Sequence, residues 1–339
     1  MTVAGRESDI DDSVVHGIFE REFPDWTLEN WQEADEGTDF VAFLDCDTAD
    51  GHRRVVLKVQ DFLDPESFRP EPSLLGFVGE NTEIPVPEVV ASDLEGDEFP
   101  PYFVMAYVDG DTPDSEADLS DDAIARIAEI AGRNLAQLHR LPTWESYGWL
   151  RLAEDVDEPG ATHYGLTPAD QLDSWREFVA QGMANALDRL PDRFRDLEPG
   201  LRDALDDAIE DLPDQPRCAL LHGDYRLGNL LIDVETGETK AVVDWGNHTV
   251  GDPVQDLVKT EDHLCGYARR DDDRRRIVRD ALLDGYRDLR DVQIDPDVRA
   301  AYLLCSRVGP LAWFDLWYAD ADDPDAVAQQ HRDFLDPYR

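Results

Sequence analysis

Three oxygen-bearing side chains, Asp224, Asn229 and Asp244, stand in one stretch that can bring them to a single point. It reads CALLHGDYRLGNLLIDVETGETKAVVDWGNHTVGDPVQDL and spans residues 218–257. An apolar run at 218–221 delivers His222-Gly223-Asp224, and Asn229 lies just beyond. A short strand at 230–233 follows, then ETGET, a hairpin turn with Gly237 inside it. The returning strand, 240–244, carries Asp244 back beside the loop. Hard oxygen donors suit Mg²⁺, which takes one or two carboxylates and leaves its other positions to substrate phosphates and water. Phosphoryl transfer asks for such a cation, and for a carboxylate that orients the attacking hydroxyl.

Neighbouring residues read as supports. His222 braces the loop by hydrogen bonds rather than acting as a base. Gly251-Asp252-Pro253 and Asp256 cap a helix and tie the loop down; Asp256 stands three residues before Lys259. Lys58 is the only lysine before residue 240 and sits in the apolar alternation Arg53-Arg54-Val55-Val56-Leu57-Lys58-Val59. An ammonium there needs an anionic partner.

The elements that must position these residues follow from periodicity. Ile10, Val14, Val15, Ile18 and Phe19 predict an amphipathic helix over 9–22. Strands are expected at 38–45 and 53–60, joined by the polar turn DTADGH. A helix with a Pro-rich entry is expected over 71–80, then strands at 86–91 and 102–108. After Gly110 the chain becomes helical: 121–141, 168–190, 199–211, 274–292 and 296–318, with one β interruption at 218–246. The fold class is therefore α+β in two lobes: residues 1–106, a small antiparallel sheet with one helix, and residues 107–339, mainly helical.

HGDYRLGN, VVDWG and GDPVQDL together resemble the aminoglycoside phosphotransferase family, which includes choline and related small-molecule kinases. The resemblance covers about residues 30–320. It implies the protein-kinase-like fold, in which H-R-D-x-x-x-x-N and D-F-G carry the same logic. It implies an ATP-dependent phosphotransferase using Mg²⁺ and a small hydroxyl-bearing substrate. Asp224 is then the catalytic aspartate, and Asn229 and Asp244 hold the metal. Lys58 meets the ATP phosphates, paired with Glu71 or, as a substitute, Glu66. The segment YFVMAYVDG is the inter-lobe hinge; backbone at Ala106 and Tyr107 holds the adenine, with Met105 beside the ring. Glu36-Gly37-Thr38-Asp39-Phe40 stands where a nucleotide loop belongs. Arg226 either meets the transferring phosphate, where an arginine makes bidentate contact, or is a surface arginine paired to a carboxylate.

The composition narrows the setting. The chain has 339 residues and a net charge of −46, with 77 acidic residues against 31 basic, only three of them lysine. Scattered acid with scarce lysine points to a very salty cytoplasm, as in halophilic archaea, where screening removes self-repulsion. There is no basic stripe for nucleic acid, no apolar run of membrane-spanning length, and no basic-then-apolar start of a secretory leader. Four isolated cysteines suggest reduced thiols, not zinc or disulfides. Trp313, Phe314, Trp317 and Tyr318 are either core packing or a cation–π box for a quaternary ammonium. Two rival readings remain: an inactive ATP-binding or regulatory protein on the same fold, and a metal hydrolase using His222, Asp224, Asp244 and His248. Substrate identity and oligomeric state are open.

Overall fold

The computed structural model describes residues 10–34, 38–62, 64–113, 119–141, 144–154, 161–169, 172–268, 272–318 and 323–338. The chain opens with α1 (Asp12–Glu22), which starts where the Asp11 carboxylate accepts the N–H groups of Ser13 and Val14 at 2.9 and 3.2 Å. Then come β1 (Thr27–Glu33), β2 (Phe40–Thr48), β3 (Gly51–Val59), α2 (Pro65–Phe68), α3 (Pro70–Asn81), β4 (Val89–Asp93) and β5 (Tyr102–Ala106). The strands form one antiparallel sheet in the order β1-β2-β3-β5-β4. Phe40, Ala42, Leu44 and Cys46 alternate inward from β2 and pack with Val15, Ile18 and Phe19 of α1.

The rest of the chain is mainly helical. Its elements are α4 (Asp121–Leu138), β6 (Gly148–Leu152), β7 (Leu166–Pro168), α5 (Trp175–Asp188), α6 (Glu198–Asp211), β8 (Ala219–Leu221), β9 (Leu230–Ile232), β10 (Thr239–Val242), β11 (Thr249–Gly251), α7 (Pro253–Leu264), α8 (Asp273–Arg287), α9 (Pro296–Val308), α10 (Phe314–Trp317) and α11 (Pro324–Leu335). β9 and β10 make the expected hairpin, while β7-β6-β11-β8 form a second small sheet. The α3 residues Leu74, Leu75, Phe77 and Val78 share a core with Leu135 and Leu138 of α4, with Ile232 and Val242, and with Trp245. The lobes therefore meet through packed side chains.

The α+β class and the antiparallel first lobe are as expected, but several elements differ. The 168–190 helix begins only at Trp175, capped by Ser174, because Leu166–Pro168 is spent on a buried strand. The 296–318 helix breaks at Gly309-Pro310, whose proline offers no N–H to continue the ladder. β1, β6, β7, β11 and α11 were not foreseen. β1 is a mostly exposed edge strand with no clean alternation. Among the described residues no helix is long and apolar enough to cross a membrane.

Candidate active site

Lys58 lies in the middle of the sheet, paired with Val41 on β2 and Phe103 on β5, and is buried. Its Nζ donates to Glu71 Oε2 at 2.7 Å and lies 3.4 Å from Asp244 Oδ1. Glu71 enters from the first turn of α3, between Pro70 and Pro72, and is also buried. Its other oxygen accepts the Trp245 N–H at 3.1 Å, so one carboxylate ties the sheet lysine to the Asp244-Trp245-Gly246 turn. Glu66 instead pairs with Arg69 at 2.6 Å on the surface. Burial works against the Lys58 ammonium, yet Glu71, Asp244 and Asp39 hold its pKa above the ordinary lysine value. Burial raises Glu71 while Lys58 lowers it. With both Glu71 oxygens bonded to donors, the ionised pair is the state this geometry favours.

The catalytic-type loop is fastened from below. Asp256 on α7 accepts the N–H groups of His222 and Gly223 at 2.9 and 3.0 Å, and meets His139 Nε2 at 3.3 Å. His222 Nδ1 accepts the Asp224 N–H at 3.2 Å, and its ring tilts against Trp245 with centroids 4.6 Å apart. Lys259 donates to the Gly223 carbonyl. Gly223 has φ +75, and a Cβ there would stand 2.1 Å from the Asn247 carbonyl oxygen, so only glycine fits. Asp252 caps α7 through the Val254 N–H at 3.0 Å and accepts the Tyr302 hydroxyl at 2.6 Å.

Asp224 is surrounded by donors. Its Oδ2 accepts Arg226 Nε and Asn229 Nδ2, each at 3.1 Å, and its backbone carbonyl takes a second Asn229 Nδ2 bond at 2.9 Å. Burial pushes the carboxyl up, but His263, Arg226, Lys259 and His222 outweigh it and hold its pKa below the usual carboxylate range. Asp224 is thus ionised at neutral pH. Asp244 has φ 57, a left-handed conformation that costs a non-glycine residue about 1–3 kcal/mol. That conformation accompanies the approach of its carboxylate to Lys58.

Lys58, Glu71 and Asp244 thus form one contact group and Asp224, Arg226 and Asn229 another, and the Asn229 carbonyl accepts the Val243 N–H at 2.9 Å, which sets the two side by side. Arg226 is paired with Asp224. The segment expected as the hinge differs in detail: the Ala106 N–H is already donated to the Glu88 carbonyl at 2.8 Å, because β5 continues its bonding toward β4. Tyr107 carries the Arg54 guanidinium over its ring at 4.7 Å, and Met105 packs against the shared core. Of the nucleotide-loop segment, Glu36 and Gly37 lie outside the described residues; the Asp39 carboxylate accepts the N–H groups of Asp61 and Phe62. In the C-terminal aromatic cluster Phe314 is core, and Arg189 and Arg193 already cover Trp313 and Phe314 at 5.5 and 5.0 Å.

Sequence reasoning missed a group on α7. His263 is buried, with Nδ1 3.4 Å from Asp224 Oδ1. Beside it Asp262 is buried between Arg275, at 2.5 Å, and Arg307, at 2.6 and 2.8 Å. Glu261 binds Arg275 and Arg299. In a chain with 77 acidic residues, nothing local separates these carboxylates from surface ones.

Comparison with known proteins gives these features a context. The family model of a phosphotransferase enzyme family matches residues 30–302. The ternary complex of streptomycin, ATP and aminoglycoside phosphotransferase APH(2")-IIa has a similar structure (TM-score 0.57, 15% identity, 96% of this chain and 99% of that one). So does the Streptomyces rimosus aminoglycoside phosphotransferase APH(3'')-Id with ADP and streptomycin (TM-score 0.55, 17% identity, 89% and 100%). ADP-bound APH(2'')-Ib is a third (TM-score 0.54, 15% identity, 96% and 97%). At these identities the likeness speaks for the fold. Mouse acyl-CoA dehydrogenase family member 10 is 50% identical over 46 residues, which are 14% of this chain and 4% of that protein. The match thus spans a small fraction of that curated relative's length.

Proposed function

This chain belongs to the phosphotransferase enzyme family, and we propose that it transfers the γ-phosphate of ATP to a hydroxyl of a small molecule: an aminoglycoside, an amino alcohol or a sugar-like compound. One observation carries the reading: Lys58, 2.7 Å from Glu71, also lies 3.4 Å from Asp244, while Asn229 bonds Asp224 next door. Phosphate handling and hydroxyl handling thereby share one cleft. The ATP- and ADP-bound relatives support the nucleotide.

The donor set fits Mg²⁺. Asn229 spends its amide nitrogen on Asp224, so its amide oxygen is the atom left for a cation. The Asp244 side chain is 35% exposed, 3.4 Å from Lys58 Nζ. Among the described residues no cluster of three or more His, Cys, Asp or Glu could hold a metal alone. That sparse share is what Mg²⁺ takes when phosphates complete its shell. Bound there, Mg²⁺ supplies charge neutralisation at the phosphates.

The chain's own residues do the rest. Lys58, kept charged and aimed by Glu71, orients phosphate oxygens. Asp224 accepts the hydrogen bond of the incoming hydroxyl and takes its proton as the new oxygen–phosphorus bond forms and the γ-phosphorus parts from the bridging oxygen, which leaves with ADP. Arg226, fixed by Nε on Asp224, presents its remaining N–H groups to phosphate. The Tyr107 amide, rather than that of Ala106, is the hinge donor for adenine, with Met105 beside it. We place the lobe boundary between residues 106 and 107, where β5 ends. We also assign the chain to a salty cytoplasm on its charge of −46. A screen of sugars, amino alcohols and aminoglycosides for ADP release, with Mg·ATP in molar KCl, tests the reading. Acceptor-dependent ADP release is expected; Mg·ATP binding with no release across all classes would favour an inactive nucleotide binder.

A further inference from the structure

Asp224 has about four lone-pair positions to fill. Two of them, on Oδ2, are taken by Arg226 and Asn229. Oδ1 faces His263 Nδ1 at 3.4 Å, a few tenths of an ångström beyond an ordinary N–H···O bond. Among the described residues neither ring nitrogen of His263 has a hydrogen-bond partner, and the side chain is 3% exposed. A buried imidazole without partners costs stability unless something recovers that cost. Its surroundings hold it in place. It sits in the last turn of α7, with its ring edge-on to Tyr267 at 5.5 Å. The preceding residue, Asp262, is clamped by Arg275, Arg307 and Ser306. Burial pushes the imidazole pKa down to about 4 in spite of Asp224, so the ring is neutral. A neutral ring facing an ionised carboxylate must put its proton on the facing nitrogen; a lone pair at Nδ1 would repel Oδ1.

We propose that His263 is a positioning residue for Asp224: its Nδ1–H donates to Oδ1 and fixes the carboxylate plane, so that the one remaining lone pair on Oδ1 is aimed at the acceptor hydroxyl. This rests on the reading of Asp224 as the group that receives that hydroxyl. The imidazole takes no proton from substrate. It acts through Asp224, as orienting partners of catalytic groups do elsewhere, at about 10–100-fold in rate.

The test compares wild type, His263→Leu and His263→Asn in molar KCl. ADP release is followed from Mg·ATP with water as acceptor, beside Mg·ADP binding by intrinsic fluorescence. Leucine should lower kcat about 10–100-fold with Mg·ADP affinity unchanged. Asparagine, whose amide N–H can stand near Nδ1, should recover most of that loss. Equal kcat in wild type and the leucine variant would overturn the proposal. So would an asparagine variant as slow as leucine, or a leucine variant that loses nucleotide affinity and turnover together. A wild type that releases no ADP with water or with any acceptor of the screen would instead count against the phosphotransferase reading. One further measurement needs no turnover. In ¹⁵N-histidine-labelled wild type, the His263 resonance, assigned by its disappearance in His263→Asn, should show a protonated Nδ1 and a bare Nε2. A ring protonated at Nε2 alone would overturn the assignment.

Discussion

Replacing Glu71 by Gln isolates one charge in the Lys58 cluster. The amide is nearly isosteric, and its oxygen can still accept the Trp245 N–H that Glu71 accepts at 3.1 Å. What is lost is the charged acceptor 2.7 Å from Lys58 Nζ. Breaking a buried ion pair outright costs about 3–5 kcal/mol. Here Asp244 remains 3.4 Å from the ammonium and Asp39 adds to its field, so the loss should be smaller, about 1–3 kcal/mol. Lys58 should swing toward Asp244, the carboxylate proposed to hold Mg²⁺. Denaturant midpoints in molar KCl read the stability term, and kcat/KM for Mg·ATP reads the functional one. The latter should fall more than about tenfold if even 1.4 kcal/mol of phosphate orientation is lost. In a cycle with Lys58→Met the double variant should be little worse than either single one. Additive losses would show that the 2.7 Å contact does not couple the two residues. Wild-type stability and kcat/KM in Glu71→Gln would refute the reasoning.

Other expectations follow from the same geometry. Asp224→Asn should keep Mg·ATP affinity while transfer falls about 10²–10⁴-fold, because the amide cannot accept the hydroxyl proton; an affinity titration beside single-turnover kinetics reads both. Gly223→Ala should disable the loop and not merely soften it, since a Cβ would stand 2.1 Å from a backbone oxygen at φ +75; unchanged turnover would show that the loop can move aside. His263 and His331 are both buried, and burial lowers each to about 4. The unfolded chain, with histidines near 6.5, binds more protons between those values, so stability should be full above about pH 6.5 and fall as pH drops toward 4. Urea midpoints at constant KCl would show this slope, and His331→Gln should flatten it. With a charge of −46, the protein should melt at clearly lower temperature in dilute buffer than in molar KCl. A melting temperature independent of salt would remove the halophile reading and leave the enzyme reading intact.

Legibility in the sequence tracked how local each determinant is. The HGDYRLGN loop, the β9–β10 hairpin and the DWG turn are close in the chain, so turn chemistry and strand pattern sufficed to bring Asp224, Asn229 and Asp244 together. Lys58 stood out because a lysine interrupts an otherwise apolar strand. Its choice of Glu71 over Glu66 depended on Glu66 falling on the short α2, paired with Arg69 at the surface, while Glu71 is buried in the first turn of α3, and no local pattern encodes that. The Ala106 amide looked free because its partner, the Glu88 carbonyl, comes from a loop 18 residues away in sequence. His263 was invisible for the opposite reason. A single histidine near a helix end carries no spacing signal, and its significance arises only when α7 folds beneath the loop. The short strands β6, β7 and β11 pair across up to about a hundred residues, and three to five residues hold too little alternation to reveal them.

The central claim is that Asp224 delivers a hydroxyl to the γ-phosphate in the cleft where Lys58 and Asp244 meet. Phosphorus NMR of Mg·ATP with the best acceptor of the screen, in molar KCl, tests it most directly. Wild type should show ADP and a phosphate monoester of the acceptor growing at equal rates, with neither growing in Asp224→Asn. A phosphate monoester formed as fast by Asp224→Asn as by wild type would contradict the account.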